Sequence, residues 1–368
     1  MLAQYIGQKK ERALGSSFCR NMLLSFVIAA VFTLVCVLFP TKIMSLYAND
    51  METRANAAAY LKIYAYSLIP MAVTSIVSVL LHCVEKAYLP LIAGILSVVL
   101  NTVLNYVLIF GKCGFSPMGV RGAAIASVSA QIGACVLTLL FFFGRLAKVK
   151  GQIRFSLKSD RQSTGQYVRI LAPVLICEFL WSAGENVYAA IYGNIGTDAC
   201  AAMTMTGSVQ GIMIGVLSGL SQAAGILIGK SLGNREYDKA YRDSARLMQY
   251  GILGAVFLSL ALVFISPGYV LIYNVSGLVR GICVRILMVY AFIAPVKVCN
   301  MILGGGIIRS GGRTGYVMWI DMIGTWIFGV PLGLLAAFVL HLPIQYVYFM
   351  LSVEEVVRLL ISFVIFRR

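Results

Sequence analysis

Glu178 is the one charged residue in the apolar stretch LAPVLICEFLW, five residues after Pro173. A carboxylate in such a place can hold a sodium ion or a proton, and its neutralisation can be tied to a change of conformation. The alternative is a structural hydrogen bond to a neighbouring helix. Pro173 donates no backbone hydrogen bond and frees the carbonyl four residues earlier, which can help to bind a cation. Glu185 follows two helical turns later on the same face and can line the outer part of a cavity. Lys297 lies two residues past Pro295 in FIAPVKVCNMILGGG, with Asn300 about one turn further on. The lysine can pair with Glu178 in place of a bound cation, with the Asn300 carbonyl at the same site. The alternative is a lysine that runs its stem to the membrane surface. Asp321 either joins these groups in a cavity or pairs with Arg313. Glu178, Asp321 and Lys297 are therefore the candidates for cation or proton coupling.

Other polar side chains have plainer readings. Asn101 and Asn105, spaced i, i+4, can tie helices together or line a path. Glu354 and Arg358 have the same spacing and read, with Glu355, as a structural pairing. Tyr64, Tyr66, Trp181, Tyr188, Met203 and Met205 are candidates to line a cavity for flat organic cations, through cation–π contact and adaptable packing. For each, a place in the helix core or against lipid is the alternative. No HExxH, Gly-x-Ser-x-Gly or carboxylate–histidine constellation occurs, so an intramembrane enzyme is not expected. Nine cysteines without a CxxC pair, and two histidines, His82 and His341, give no metal site.

The elements that must position these groups are membrane helices. Of 368 residues 60% are hydrophobic and 12% charged, about half the charge of a soluble domain. Apolar runs of the length a bilayer requires fall at Met22–Pro40, Tyr60–Leu81, Leu89–Phe110, Gly122–Gly144, Val168–Tyr192, Ala201–Ile228, Met248–Ile265, Ile282–Ile308, Tyr316–Leu340 and Ile344–Ile365. The net charge of +16 sits mostly in short loops, with 21 basic residues on one side of the membrane and 6 on the other. That bias places both termini in the cytoplasm. It reads as orientation and not as nucleic-acid binding, for no aromatic residues interleave with the basic ones outside the spans.

The chain also resembles itself. Gly7 aligns with Gly233, Tyr64-Ala65 with Tyr290-Ala291, and Pro70 with Pro295, each pair 225 or 226 residues apart. The expected architecture is all-α, about ten helices in two pseudo-symmetric bundles. Residues 1–150 form a four-helix bundle, 151–166 a cytoplasmic basic linker, and 167–368 a six-helix bundle. Equal halves would need two further helices before Gly7, which predicts a twelve-helix parent lacking its first two. A genuine ten-helix form is the alternative.

LPLIAGILSVVLNTVLNYVLIFG followed by PMGVRGAAIASVSAQ, then GGGIIRSGGRTGYVMWID, and VYFMLSVEEVVRLLISFVIFRR at the end together resemble the multidrug and toxic compound extrusion family. Ser127 stands where the family usually has Thr, and Arg313 where it has an acid. The resemblance implies two bundles that alternate between outward- and inward-open states. It implies export of small organic, cationic compounds across the plasma membrane by antiport with sodium or protons, with no other cofactor. Glu178 matches an acidic position of the family, whereas Lys297 stands about where some relatives carry an acid. A monomer in the lipid bilayer, without a nucleic-acid partner, is expected. The alternatives are a flippase of lipid-linked precursors from the same superfamily, and a nonfunctional transporter fragment.

Overall fold

The computed structural model describes residues 2–8, 10–45, 51–149 and 161–367. Residues 150–160, which hold most of the expected basic linker with Lys150, Arg154 and Lys158, lie outside them, as does Lys9. Among the described residues, ten long helices carry the fold. They are α1 (Arg12–Leu38), α2 (Met51–Cys83), α3 (Tyr88–Phe110), α4 (Gly119–Gly144), α5 (Tyr167–Ile195), α6 (Thr197–Gly233), α7 (Tyr237–Ile272), α8 (Gly277–Ile308), α9 (Thr314–Val339) and α10 (Ile344–Arg367). Among the described residues, the first nine are long and apolar enough to cross a membrane. Even α3, at 23 residues, reaches about 35 Å, more than the hydrocarbon core of about 30 Å. The tenth expected span is present as a helix of 24 residues, and its polar character comes from Glu354, Glu355 and Arg358, all buried inside.

That placement follows from the solvent. Large apolar side chains such as Phe179, Phe257 and Phe264 point outward, more than 70% exposed, as helices solvated by lipid require. The interior mixes large aliphatic side chains such as Leu80, Ile286 and Leu287 with many small residues, which let backbones approach. The GVRGAAIASVSAQ motif shows the device: Ala124, Ala126 and Ala130 are buried, and a Cβ at Gly122 would meet the Leu108 carbonyl oxygen at 2.7 Å. The α3–α4 contact depends on that glycine. Gly111, in the left-handed region at φ 65°, ends α3 and starts the turn toward α4.

Chain contacts divide the molecule into two units near residue 160. The first holds α1–α4, and within it α3 packs along α4, α1 along α2, and α2 on α4. The second holds α5–α10. There α8 is central, packed against α6, α7 and α10, while α9 lies against α5 and α10. The internal repeat is written in the helix starts. Arg12 and Tyr237, Met51 and Gly277, Tyr88 and Thr314, Gly119 and Ile344 are each 225 or 226 residues apart. The helices α1–α4 thus correspond in order to α7–α10. No described residues of the first unit correspond to α5 and α6.

Three stretches of the second unit relax from α- to π-helical hydrogen bonding: Met301–Ile308 at the end of α8, and Ile323–Gly329 and Leu335–Val339 in α9. Such segments widen a helix and expose carbonyls. The Ser221 hydroxyl, from α6, donates to the Met301 carbonyl where the first begins. Close approach there rests on Gly306, whose Cβ would meet the Ser221 carbonyl oxygen at 2.7 Å and Ala224 Cβ at 2.9 Å. A Cβ at Gly304, one position beyond Leu303, meets nothing within 4 Å. Gly306→Ala is therefore expected to cost about 1–3 kcal/mol of stability and Gly304→Ala close to none. Thermal unfolding of the purified protein in detergent checks both.

Candidate functional site

In the first unit a cavity of about 220 Å³ is lined by Tyr64, Ser67, Ser97, Asn101, Ser127 and Gln131. Asn101 Nδ2 donates to Ser127 Oγ at 3.4 Å, Asn105 Nδ2 to Asn101 Oδ1 at 3.0 Å, and Ser97 Oγ to the Ala130 carbonyl at 2.9 Å. The Asn101–Ser127 and Ser97–Ala130 bonds tie α3 to α4, the bridging role that polar side chains have between membrane helices, while the Asn105–Asn101 bond lies within α3. Tyr66 is exposed, at 53%.

A second cavity, of about 400 Å³, lies within the second unit, and its wall is charged. Glu178, Asp321 and Glu355 line it, and so do Lys297, Arg309 and Arg358, so three carboxylates face three cations. Five structural segments bring these groups together. Glu178 comes from α5, Lys297 from α8, Arg309 from the helical residues that continue α8 past Ile308, Asp321 from α9, and Glu355 and Arg358 from α10. Neutral Ser218, Ser221 and Gln222 of α6 complete the wall. The helices are held in place around it by hydrogen bonds. Thr314 Oγ1 donates to the Ile170 carbonyl and Trp326 Nε1 to the Leu180 carbonyl, which fixes α9 on α5. The Tyr188 hydroxyl donates to Glu354 Oε2 at 2.6 Å, which fixes α5 on α10.

The charges form one network. Arg309 Nη1 lies 3.0 Å from Glu178 Oε1, and its Nη2 donates to Cys177 Sγ at 3.4 Å. Cys177 Sγ in turn donates to Asp321 Oδ2 at 2.8 Å. The other oxygen of Asp321 lies 3.7 Å from Arg358 Nη1. Arg358 also faces Glu354 at 3.4 Å and Glu355 at 3.9 Å, and donates to Thr325 Oγ1. Glu355 receives Asn300 Nδ2 at 2.8 Å and lies 3.8 Å from Lys297 Nζ. Each ionised group at membrane depth is costly alone, roughly 2.5–3.5 kcal/mol, and pairing offsets this.

Of the residues singled out from sequence, Glu178, Asp321, Lys297, Asn300 and Trp181 line this one cavity, and so do Glu355 and Arg358, which the sequence reading made structural. Tyr188 stands behind it on Glu354. Glu185 is exposed and does not line it. Met205 is buried in the core beside α8, and Met203 packs against the same cluster. The partners differ from those expected. Lys297 faces Glu355 and not Glu178, because its side of α8 packs on α10. Glu178 is instead held by Arg309, assigned from sequence to a loop. Asp321 pairs with Arg358, while Arg313 lies over the Tyr316 ring at 5.8 Å. The expected Glu354–Arg358 pair is present, but it is one edge of a larger cluster that includes Glu355. Three charges midway along α10 were the available signal that this helix faces a polar interior. The thiol of Cys177 carried no such signal.

The geometry can be set beside known proteins. A family model described as MatE matches residues 1–107 and 173–335. A probable multidrug resistance protein NorM of Bacillus anthracis is 24% identical over 349 residues, covering 92% of this chain and 74% of that protein. The solved structure of a MOP superfamily transporter from Pyrococcus furiosus has a TM-score of 0.88 at 15% identity, covering 100% of this chain and 81% of its own. That of the Vibrio cholerae MATE transporter VcmN has a TM-score of 0.86 at 16% identity, covering 100% and 82%. The structural likenesses carry the fold, and the family match extends over well more than half of the residues. The chain belongs to the MatE family of multi-pass membrane transporters.

Proposed function

We propose that the chain exports small organic, cationic compounds across the plasma membrane by alternating access, in antiport with protons or sodium. In this reading both termini are cytoplasmic, the protein acts as a monomer, and the two helical bundles are its moving parts. The observation that supports it is the paired charge network of the second unit. Glu178 joins α5 to the C-terminal end of the α8 helix, and Asp321 joins α9 to α10 and, through Cys177, to α5. Neutralising either carboxylate removes a tie between helices, so cation or proton binding is linked to helix position. Trp181 offers an aromatic face on the same wall for an organic cation.

A flippase of anionic, lipid-linked precursors would use Arg and Lys free to receive a pyrophosphate. Here Lys297, Arg309 and Arg358 each lie within 4 Å of a carboxylate, which favours the antiport reading. The test is uptake of a fluorescent organic cation into inverted vesicles under separately imposed proton and sodium gradients. Driven uptake supports the proposal, and none by an intact, inserted protein supports a nonfunctional fragment. Glu178→Gln is expected to lower uptake roughly threefold, under 1 kcal/mol, since the side chain is at the cavity's exposed edge. Uptake equal to the parent's under both gradients would remove Glu178 from the coupling site.

A further inference from the structure

Among the described lysines, Lys297 alone lines the cavity of the second unit. Its Nζ stands 3.8 Å from Glu355 Oε1, inside ion-pair range but beyond a hydrogen bond. The other oxygen of Glu355 is taken by Asn300 Nδ2 at 2.8 Å. The Glu355 side chain is only 8% exposed, and Asn300 Oδ1 is buried with no hydrogen-bond partner. Arg358 Nη1 also approaches Glu355 Oε1, at 3.9 Å, but that guanidinium serves Asp321 and Glu354 at shorter distances. The remaining charges around the cavity, Glu178 and Arg309, pair with each other. Glu355 is thus a desolvated carboxylate with two cations near it, Lys297, which pairs with it alone, and Arg358, which is shared with Asp321 and Glu354. One charged oxygen and a buried amide oxygen beside a cavity form a setting for one monovalent cation.

We propose that Lys297 is a built-in monovalent cation for Glu355, standing where a free alkali or alkylammonium ion would otherwise be held. The cavity of the second unit then works without bound sodium. This deepens the antiport reading, on which it rests for the choice of proton over sodium as the coupling ion. Shortening the side chain leaves Glu355 facing a cavity of about 400 Å³, larger still by the volume removed. A free cation can then enter and restore the balance.

The experiment is thermal unfolding of the full chain in detergent, in choline chloride against sodium, potassium or ethylammonium chloride at equal ionic strength. The parent is expected to melt at one temperature in all four. Lys297→Ala is expected to melt lower in choline. It should regain about 3–5 °C with sodium, potassium or ethylammonium at ten times its dissociation constant. Lys297→Ala/Glu355→Gln, with no charge left to balance, is expected to respond to none. Lys297→Gln, which keeps most of the stem, gives the same comparison if the alanine variant does not fold. Stabilisation of the parent by sodium, no response of the single variants to any cation, or a response that survives in the double variant would each overturn the proposal. The readout involves no transport. A vesicle assay that fails beside a positive cation response counts against the antiport reading alone. Proton-driven uptake beside no cation response counts against the built-in cation alone.

Discussion

Arg358→Met will lower the melting temperature of the protein by on the order of 10 °C, equivalent to about 3–5 kcal/mol. Arg358 is 7% exposed, and its guanidinium stands among Glu354, Asp321 and Glu355, at 3.4, 3.7 and 3.9 Å. Lys297 pairs with Glu355, so methionine leaves Glu354 and Asp321 with no cation within 4 Å among the described residues. Tyr188 and Cys177 still donate to them, but neutral donors do not balance the charge. The site is also shaped for arginine. A Cβ at Gly324 would lie 2.5 Å from Arg358 Cγ, so the stem runs over bare backbone. Arg358→Lys keeps the charge but loses the fork that reaches Thr325 and the carboxylates, and should fall between the parent and methionine. Adding Glu354→Gln to Arg358→Met should recover part of the loss, which a simple packing defect would not allow. Thermal unfolding in detergent reads all four proteins, and an Arg358→Met variant melting within 2 °C of the parent would contradict the network.

The helices and their repeat were legible because lipid imposes long apolar runs, and a repeat keeps its spacing. The start of α10 and the end of α3 fall where the apolar pattern puts them, at Ile344 and Phe110. Several helices extend beyond their apolar cores, as α2 does by starting at Met51 and not at Tyr60, because a helix continues past the membrane where its residues permit it. The identity of the charged residues was legible too, since each breaks an apolar run. Their partnerships were not. Arg309 and Glu178 are 131 residues apart, and Cys177 and Asp321 are 144. Which side of α8 carries Lys297 toward α10 is set by packing among six helices, and depth in the membrane says nothing about direction around the axis. The π-helical stretch after Asn300 adds to this, for it shifts the face on which Arg309 emerges relative to a regular helix. Only Glu354 and Arg358, neighbours on one helix, could be paired from spacing alone.

Asp321→Asn separates coupling from stability. The carboxylate joins two halves of the network, accepting from Cys177 Sγ at 2.8 Å and facing Arg358 Nη1 at 3.7 Å. Its side chain is 23% exposed and lines the cavity, so it can be reached without lying in open solvent. Asparagine has the same shape, can still accept from the thiol, and leaves Arg358 with Glu354 and Glu355. The cost in stability should therefore stay near 1 kcal/mol, well below that of Arg358→Met. Transport should suffer far more. An amide does not titrate at any working pH, and each pKa unit by which a carboxyl differs between two states is a factor of ten in their populations. Proton-driven uptake of an organic cation by Asp321→Asn is expected to fall by about tenfold or more, against roughly threefold for Glu178→Gln. Cys177→Ser preserves a donor to Asp321 and should transport nearly as the parent does. Uptake by Asp321→Asn at the parent's rate, with an unchanged dependence on the pH gradient, would assign proton coupling elsewhere in the chain. The melting temperature, measured on the same preparations, distinguishes a lost coupling group from a lost fold.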